Sequence, residues 1–243
     1  MPAPVIANSG AQHNSGFASN ATTLSVSLTN NVTAGNMILV WVGAGQAGIT
    51  TVNTPTMTGE TLAKVTGASN AGTSGNGQVA CYAENSAAGG QKQVTVTTTG
   101  TTGDIHLHIQ EITGQSASPQ DATGNRESAT LSVSTSGSTT TATDLIIAFF
   151  FDLNTNVTFT ATGGSSQIDQ GNNGTGGDAS FSEQKTVSVI GVQTCTCSST
   201  GTDVCEQGIL AIAGTAGASV HLDDDSLPAF IAAQIDPNVS IYR

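Results

Sequence analysis

The sequence predicts an all-β protein, a jelly-roll-like antiparallel β-sandwich built from two pseudo-repeated halves and followed by a C-terminal arm. Three observations predict it. Only 9% of the 243 residues are charged, and the polar remainder is mostly Thr, Ser, Asn and Gly, residues that suit pleated surfaces and turns. The apolar residues gather into short segments bounded by Gly, Asn and Pro, and little of the chain has helical periodicity. The chain also repeats itself: TAGNMILVWV at 33–42 is matched by TATDLIIAFF at 141–150, and each run leads into a similar succession of polar and apolar strands.

The elements follow in order. Residues 24–28 (LSVSL) alternate strictly, as a half-buried strand does, whereas 37–42 (MILVWV) are continuously apolar, as in a central strand covered on both faces. Further strands are expected at 49–53, 62–66, 78–83 and 93–97. Segment 104–112 (DIHLHIQEI) alternates again, with Ile105, Leu107 and Ile109 on one face. The stretch SASPQDATGN at 116–125 reads as a turn-rich connection.

Second-half strands are expected at 130–134, 145–151, 156–160, 179–183, 186–190, 193–197 and 204–213. The Gly/Asn-rich stretch 163–178 reads as a long exposed loop, and only 226–235, with Ser226 as N-cap, could form a short helix. Neither half has many apolar residues, so the two are expected to interleave into one sandwich over 1–213, with pseudo-repeats at about 20–115 and 126–213 and an arm or cap at 214–243.

Several motifs recur together: GNMILVWV (35–42), CYAENSAAGG (81–90), QVTVTTTG (93–100), QEITG (110–114) and SPQDATG (118–124). This pattern resembles bacterial and phage β-sandwich domains with a jelly-roll-like fold, with Ile112 standing where that family more often carries an aromatic. Such domains occur as accessory modules of secreted bacterial proteins and as surface or tail-associated proteins of phage virions. The resemblance therefore implies a non-catalytic role and supplies no catalytic residues.

Charge excludes some classes of function. Five basic residues against 17 acidic ones leave a net charge of −12, so binding to nucleic acid or to an anionic membrane surface is not expected. No segment approaches the ~20 apolar residues of a membrane-spanning helix. The opening MPAPVIANSG has neither the basic nor the apolar region of a signal peptide.

The candidate chemistry is sparse. GAGQAG at 43–48 has dinucleotide-binding spacing, but ITTVNTP follows in place of a helix, and the segment reads as a glycine-rich strand connection. His106 and His108 share a strand face and could seat a metal only with a further ligand from across the sheet; the bland reading is a polar or partly exposed face. They align roughly with Cys205 and Gln207 of the second half. If a hairpin turned at Gly201, Cys197 would stand opposite Cys205 within disulfide range, so a Cys197–Cys205 crosslink or a set of reduced thiols is expected, with Cys81 and Cys195 as small core residues. Asp152, Asn154 and Asn156 lack the Gly and Glu of an EF-hand, and Asp223–Asp225 reads as a solvated turn. Trp41 reads as core.

No catalytic, cofactor-binding or metal-binding residue is assigned, and no cofactor is expected. The expected function is a non-enzymatic structural or surface protein of an assembly, a virion component such as a capsid decoration or tail-associated protein. Its expected partners are other assembly subunits, including copies of itself, and its expected location is the virion surface or the extracellular space. The alternative is a carbohydrate-binding or adhesive module that meets a cell-surface glycan.

Overall fold

The computed structural model describes residues 3–45, 49–72, 77–100, 103–153, 157–172, 178–201 and 204–215. Most of them belong to strands, and every strand pairing is antiparallel. The first half contains β1 (Val5–Ile6), β2 (His13–Ala21), β3 (Thr23–Ser27), β4 (Met37–Gly45), β5 (Ile49–Val52), β6 (Ala63–Lys64), β7 (Gly77–Glu84), β8 (Gln93–Gly100) and β9 (Gly103–Thr113). The second contains β10 (Gln115–Ser128), β11 (Ser132–Ser134), β12 (Asp144–Asp152), β13 (Phe159–Thr162), β14 (Ser166–Asn172), β15 (Ala179–Val187), β16 (Thr194–Ser199) and β17 (Cys205–Gly214).

The halves do not interleave. The first builds a large sheet in the order β2-β9-β4-β7-β6, with β1 also on the edge of β9, and a small sheet β3-β8-β5. The second repeats this plan with β10-β17-β12-β15-β14 and β11-β16-β13. Among the described strands none pairs with a strand of the other half. The expectation of interleaving rested on each half having too few apolar residues for a core of its own. That shortage is met instead by a third, shared core.

Strand alternation builds the three cores. From β4, Ile38, Val40, Val42 and Ala44 point into the first sandwich and meet Val94, Val96, Ile105, Leu107 and Ile109. From β12, Ile146, Ala148 and Phe150 point into the second and meet Phe159, Phe181, Ile209 and Ala211. The opposite faces of the two large sheets close on each other: Met37, Leu39 and Trp41 meet Leu145, Ile147, Phe149, Phe151, Leu210 and Ile212. The runs at 37–42 and 145–151 are continuously apolar because each is covered on both sides.

Along this seam positions that correspond in the repeat face each other, and glycines make room for the largest rings. Trp41 stacks on its counterpart Phe149, with ring centroids 5.8 Å apart and planes 10° apart. Gly43 faces its counterpart Phe151, and a Cβ on Gly43 would lie 2.3 Å from the Phe151 ring. Gly208 lies under the Trp41 ring, where a Cβ would come within 2.6 Å of Cζ3 and 2.4 Å of the Ala68 carbonyl oxygen. A side chain at position 43 as large as its counterpart Phe151 would overfill the space between sheets about 10 Å apart.

Three local expectations change. Residues 116–125 are strand, not a connection: β10 is an edge strand, and buried Pro119 sits where its register with β17 slips, a place a strand tolerates proline. Within 163–178, Ser166–Asn172 pairs with β15, while 173–177 lie outside the described residues. Residues 188–190 extend no strand; β15 ends at Val187 and leaves Val189 and Ile190 exposed. Of the expected arm, 216–243 lie outside the described residues, and with them the helix at 226–235 and Asp223–Asp225.

Gly43→Ala and Gly208→Ala each lower stability by about 1–3 kcal/mol through overpacking of the seam, whereas Gly137→Ala, where a Cβ meets nothing within 4 Å, leaves it unchanged. Urea midpoints of the three variants check this.

Candidate functional site

The seam has two flanks. On one, β7 packs on β17; on the other, β9 packs on β15 and β2 lies beside β14. The first of these is filled by the turn Thr66–Ala68, which rests on β10 and carries fully buried Ala68 into the shared core. The second carries the polar residues.

On β9 the face turned to the second half holds Asp104, His106, His108, Gln110 and Ile112, all buried. His106 and His108 are therefore not on a partly exposed face; both have 0% exposure. The repeat also aligns them differently from the expectation. His106 stands opposite Gly43 and Glu206 opposite Phe151, while His108 stands opposite Trp41 and Gly208 opposite Phe149. Their counterparts are therefore Glu206 and Gly208. The expected match to Cys205 and Gln207 is one residue out of register, which exchanges the two faces of the strand.

Two serines of β15 receive the histidines. Ser180 Oγ lies 2.8 Å from His106 Nδ1 and 2.8 Å from His108 Nε2, and Ser182 Oγ lies 2.9 Å from His108 Nδ1. The single proton of the Ser180 hydroxyl can go to only one imidazole, so it donates to one ring and accepts from the other. Aromatic edges clamp the rings: Phe151 lies 5.4 Å from His106 and Phe149 5.0 Å from His108. Burial, then the neighbouring His108, drives the His106 pKa down to about 3. Burial likewise takes His108 down to about 4.

At the outer end of the row, His13 Nδ1 meets Asp169 Oδ2 at 2.8 Å, and this bond raises the His13 pKa. The Asp169 bond favours the charged form of His13, whereas burial favours the neutral form of the other two. Ser180 and Ser182 are fully buried, so no substrate reaches their hydroxyls. As folded, the chain Ser182–His108–Ser180–His106 holds two sheets in register.

Beside it the seam opens to solvent. A groove of about 580 Å³ runs between two edge strands, lined by Ser15, Gly16 and Phe17 of β2 and by Gln170, Gly171 and Asn172 of β14. Phe17 is 45% exposed, yet its ring is not free: it stacks on His106 with centroids 5.7 Å apart and planes 27° apart. Nothing in the composition pointed to this groove. Its only sequence signal is the period-two spacing of His13, Ser15 and Phe17 in a segment otherwise rich in Asn and Ser.

The residues singled out from sequence are not brought together there. Cys197 and Cys205 do not face each other across a hairpin, because β16 belongs to the small sheet and β17 to the large one. Cys197 pairs with Ala161, and Cys205 with Ser128 and Asp152. All four cysteines are buried free thiols, and burial raises the pKa of each, that of Cys195 to about 12. Gly43 and Gly45 of the glycine motif lie inside β4, with 46–48 outside the described residues. Among the described residues no group of three or more His, Cys, Asp or Glu is arranged to hold a metal ion, and no helix is long and apolar enough to cross a membrane.

Comparison of the chain with protein-family models, with curated proteins and with solved structures finds no match.

The neutral pair sets a pH dependence. The unfolded chain protonates these histidines near pH 6.5 and the folded chain does not, so their contribution is fully present above pH 6.5 and is lost as pH falls towards about 4 for His108 and about 3 for His106. Asp144, Asp178, Glu183 and Glu206, raised by burial to about 6, 7, 7 and 8, work the other way and favour low pH. The contribution of His108 is therefore read as a difference: between pH 6.5 and 4, His108→Gln gains stability relative to the parent by on the order of 2 kcal/mol. Imidazole ¹⁵N shifts at pH 5.5 show His13 charged and both buried histidines neutral.

Proposed function

We propose that this protein is a non-catalytic building block of an assembly, a virion surface or tail-associated component in which copies of the chain contact one another. The order of strands in each half supports reading the body as two jelly rolls fused back to back, a rigid block suited to spanning a lattice or ring. The acidic surface, with a net charge of −12, opposes non-specific association, so contacts between copies need dedicated apolar patches.

The observation that carries the proposal is the turn between β15 and β16. Val189, Ile190 and Val192 are 69%, 55% and 58% exposed on one tip. Three large apolar side chains so close together on a soluble surface mark a contact. The corresponding turn of the first half, NSAAGGQK at 85–92, has no large apolar residue, so the tip is an addition to the repeated plan.

Nor is the tip loose. The Thr139 N–H donates to the Gly191 carbonyl at 3.0 Å, the Gln193 N–H to Thr135 Oγ1 at 3.1 Å, and Gln193 Nε2 to the Val189 carbonyl at 3.0 Å. A tip held in shape loses little entropy on contact, which favours a permanent interface over an adaptable one. The occupant we assign to it is a second copy of the chain.

Light scattering of the purified protein tests this. An oligomer is expected, and the triple variant Val189→Ser, Ile190→Ser, Val192→Ser shifts it to monomer with the circular dichroism unchanged. A parent that is monomeric at every concentration contradicts the proposal.

A further inference from the structure

The groove between β2 and β14 does not contribute to the contact at the β15–β16 tip. We propose that it binds a neutral carbohydrate chain, with Phe17 as the platform on which a sugar ring lies.

Phe17 is the one exposed aromatic side chain among the described residues. An exposed phenyl ring at an arbitrary surface position would fold onto the nearest apolar neighbour. This one is propped from beneath: His106 stacks under it, Ser180 fixes the His106 imidazole at 2.8 Å, and Phe151 backs that imidazole edge-on. The buried row thus has a second effect, which is to present a flat apolar face to solvent in one orientation. His106 Nε2, just beneath the ring, has no hydrogen-bond partner among the described residues.

The opposite wall is low because Gly171 stands there. A side chain at that position would meet Ser180 Oγ at 2.8 Å and His106 Nδ1 at 3.1 Å, so only glycine lets the β14 backbone lie directly against the imidazole. The remaining lining is Ser15, Gln170 and Asn172, neutral groups able both to donate and to accept. Among the described residues no charged side chain lines the groove, and the nearest ion pair, His13 with Asp169, is internally satisfied.

This combination selects a ligand class. A pyranose has an apolar C–H face and a rim of hydroxyls, and it uses the ring platform and the amides at once. A nucleic acid or an acidic glycan would need cations, and the groove supplies none. The groove is open at its side, and its volume of 580 Å³ exceeds what one ring fills, which suits an extended oligosaccharide. On the other flank of the seam the turn Thr66–Ala68 packs against β10, β7 and β17.

The test is an NMR titration of the full chain with cellohexaose, maltohexaose, chitohexaose, mannohexaose and a heparin hexasaccharide. At least one neutral hexasaccharide is expected to shift the Phe17 ring and the side-chain amides of Gln170 and Asn172. Phe17→Ala and the surface change Gln170→Ala are each expected to weaken that binding about tenfold or more, while Phe17→Trp keeps it and the tip variant leaves it unchanged. The proposal is overturned if no neutral sugar shifts these resonances, if heparin binds as tightly as the neutral sugars, or if Phe17→Ala binds like the parent. An extended peptide that titrates the same residues when the sugars do not would also overturn it.

Discussion

The face-to-face packing of two large β-sheets is the constraint on which the rest of this structure depends. Each half alone is a thin sandwich with one large sheet whose central strands are apolar on both faces, and such a sheet cannot stand in water on one side. Burying its outer face against its own duplicate satisfies both halves at once. Dispersion and apolar burial supply the energy, but only if the two surfaces interlock to interior density. That requirement explains why the corresponding positions 43 and 151 diverged in opposite directions, Gly43 against Phe151, and why glycine stands at 208, under Trp41, where the first half has His108. A strictly symmetric seam would put two phenyl rings, or two glycines, where one of each fits.

The same constraint sorts the polar groups. His106 and His108 are tolerated inside because Ser180 and Ser182 meet them, and because both imidazoles stay neutral. A buried polar pair that is hydrogen-bonded costs little, and it disfavours sliding of the sheets because a shift would leave both partners unsatisfied. The apolar rows give the seam its strength, and the histidine–serine row gives it register. Where the row reaches the edge, it supports the one aromatic ring turned to solvent among the described residues.

Much of the fold was legible in the sequence, and the limits have physical causes. The repeat and the central strands at 37–42 and 145–151 were readable because continuous apolar runs mark burial on two faces. The mode of joining was not readable. Periodicity says that a face is buried, not whether its own half or the other half covers it, so a single interleaved sandwich and two stacked ones carry the same pattern. The edge strands β2, β10 and β14 were hidden by their Asn, Ser and Gly content, which suits exposed edges as well as loops. The groove lies between two of those strands, and the imidazole that backs Phe17 comes from a third strand nearly 90 residues away, so no local motif announces it. The cysteines misled for a related reason: short spacing from Cys197 to Cys205 suggested a hairpin, but the chain crosses from one sheet to the other between them.

Trp41 is the single tryptophan of the chain and lies at the centre of the seam, so its fluorescence reports the joint between the halves while far-ultraviolet circular dichroism reports the sheets. If the shared core is what makes the two sandwiches stable, both signals follow one transition in urea, with the same midpoint and slope. A fluorescence change complete at lower urea, with the sheets still intact, would mean that the halves stand by themselves, and would contradict the account.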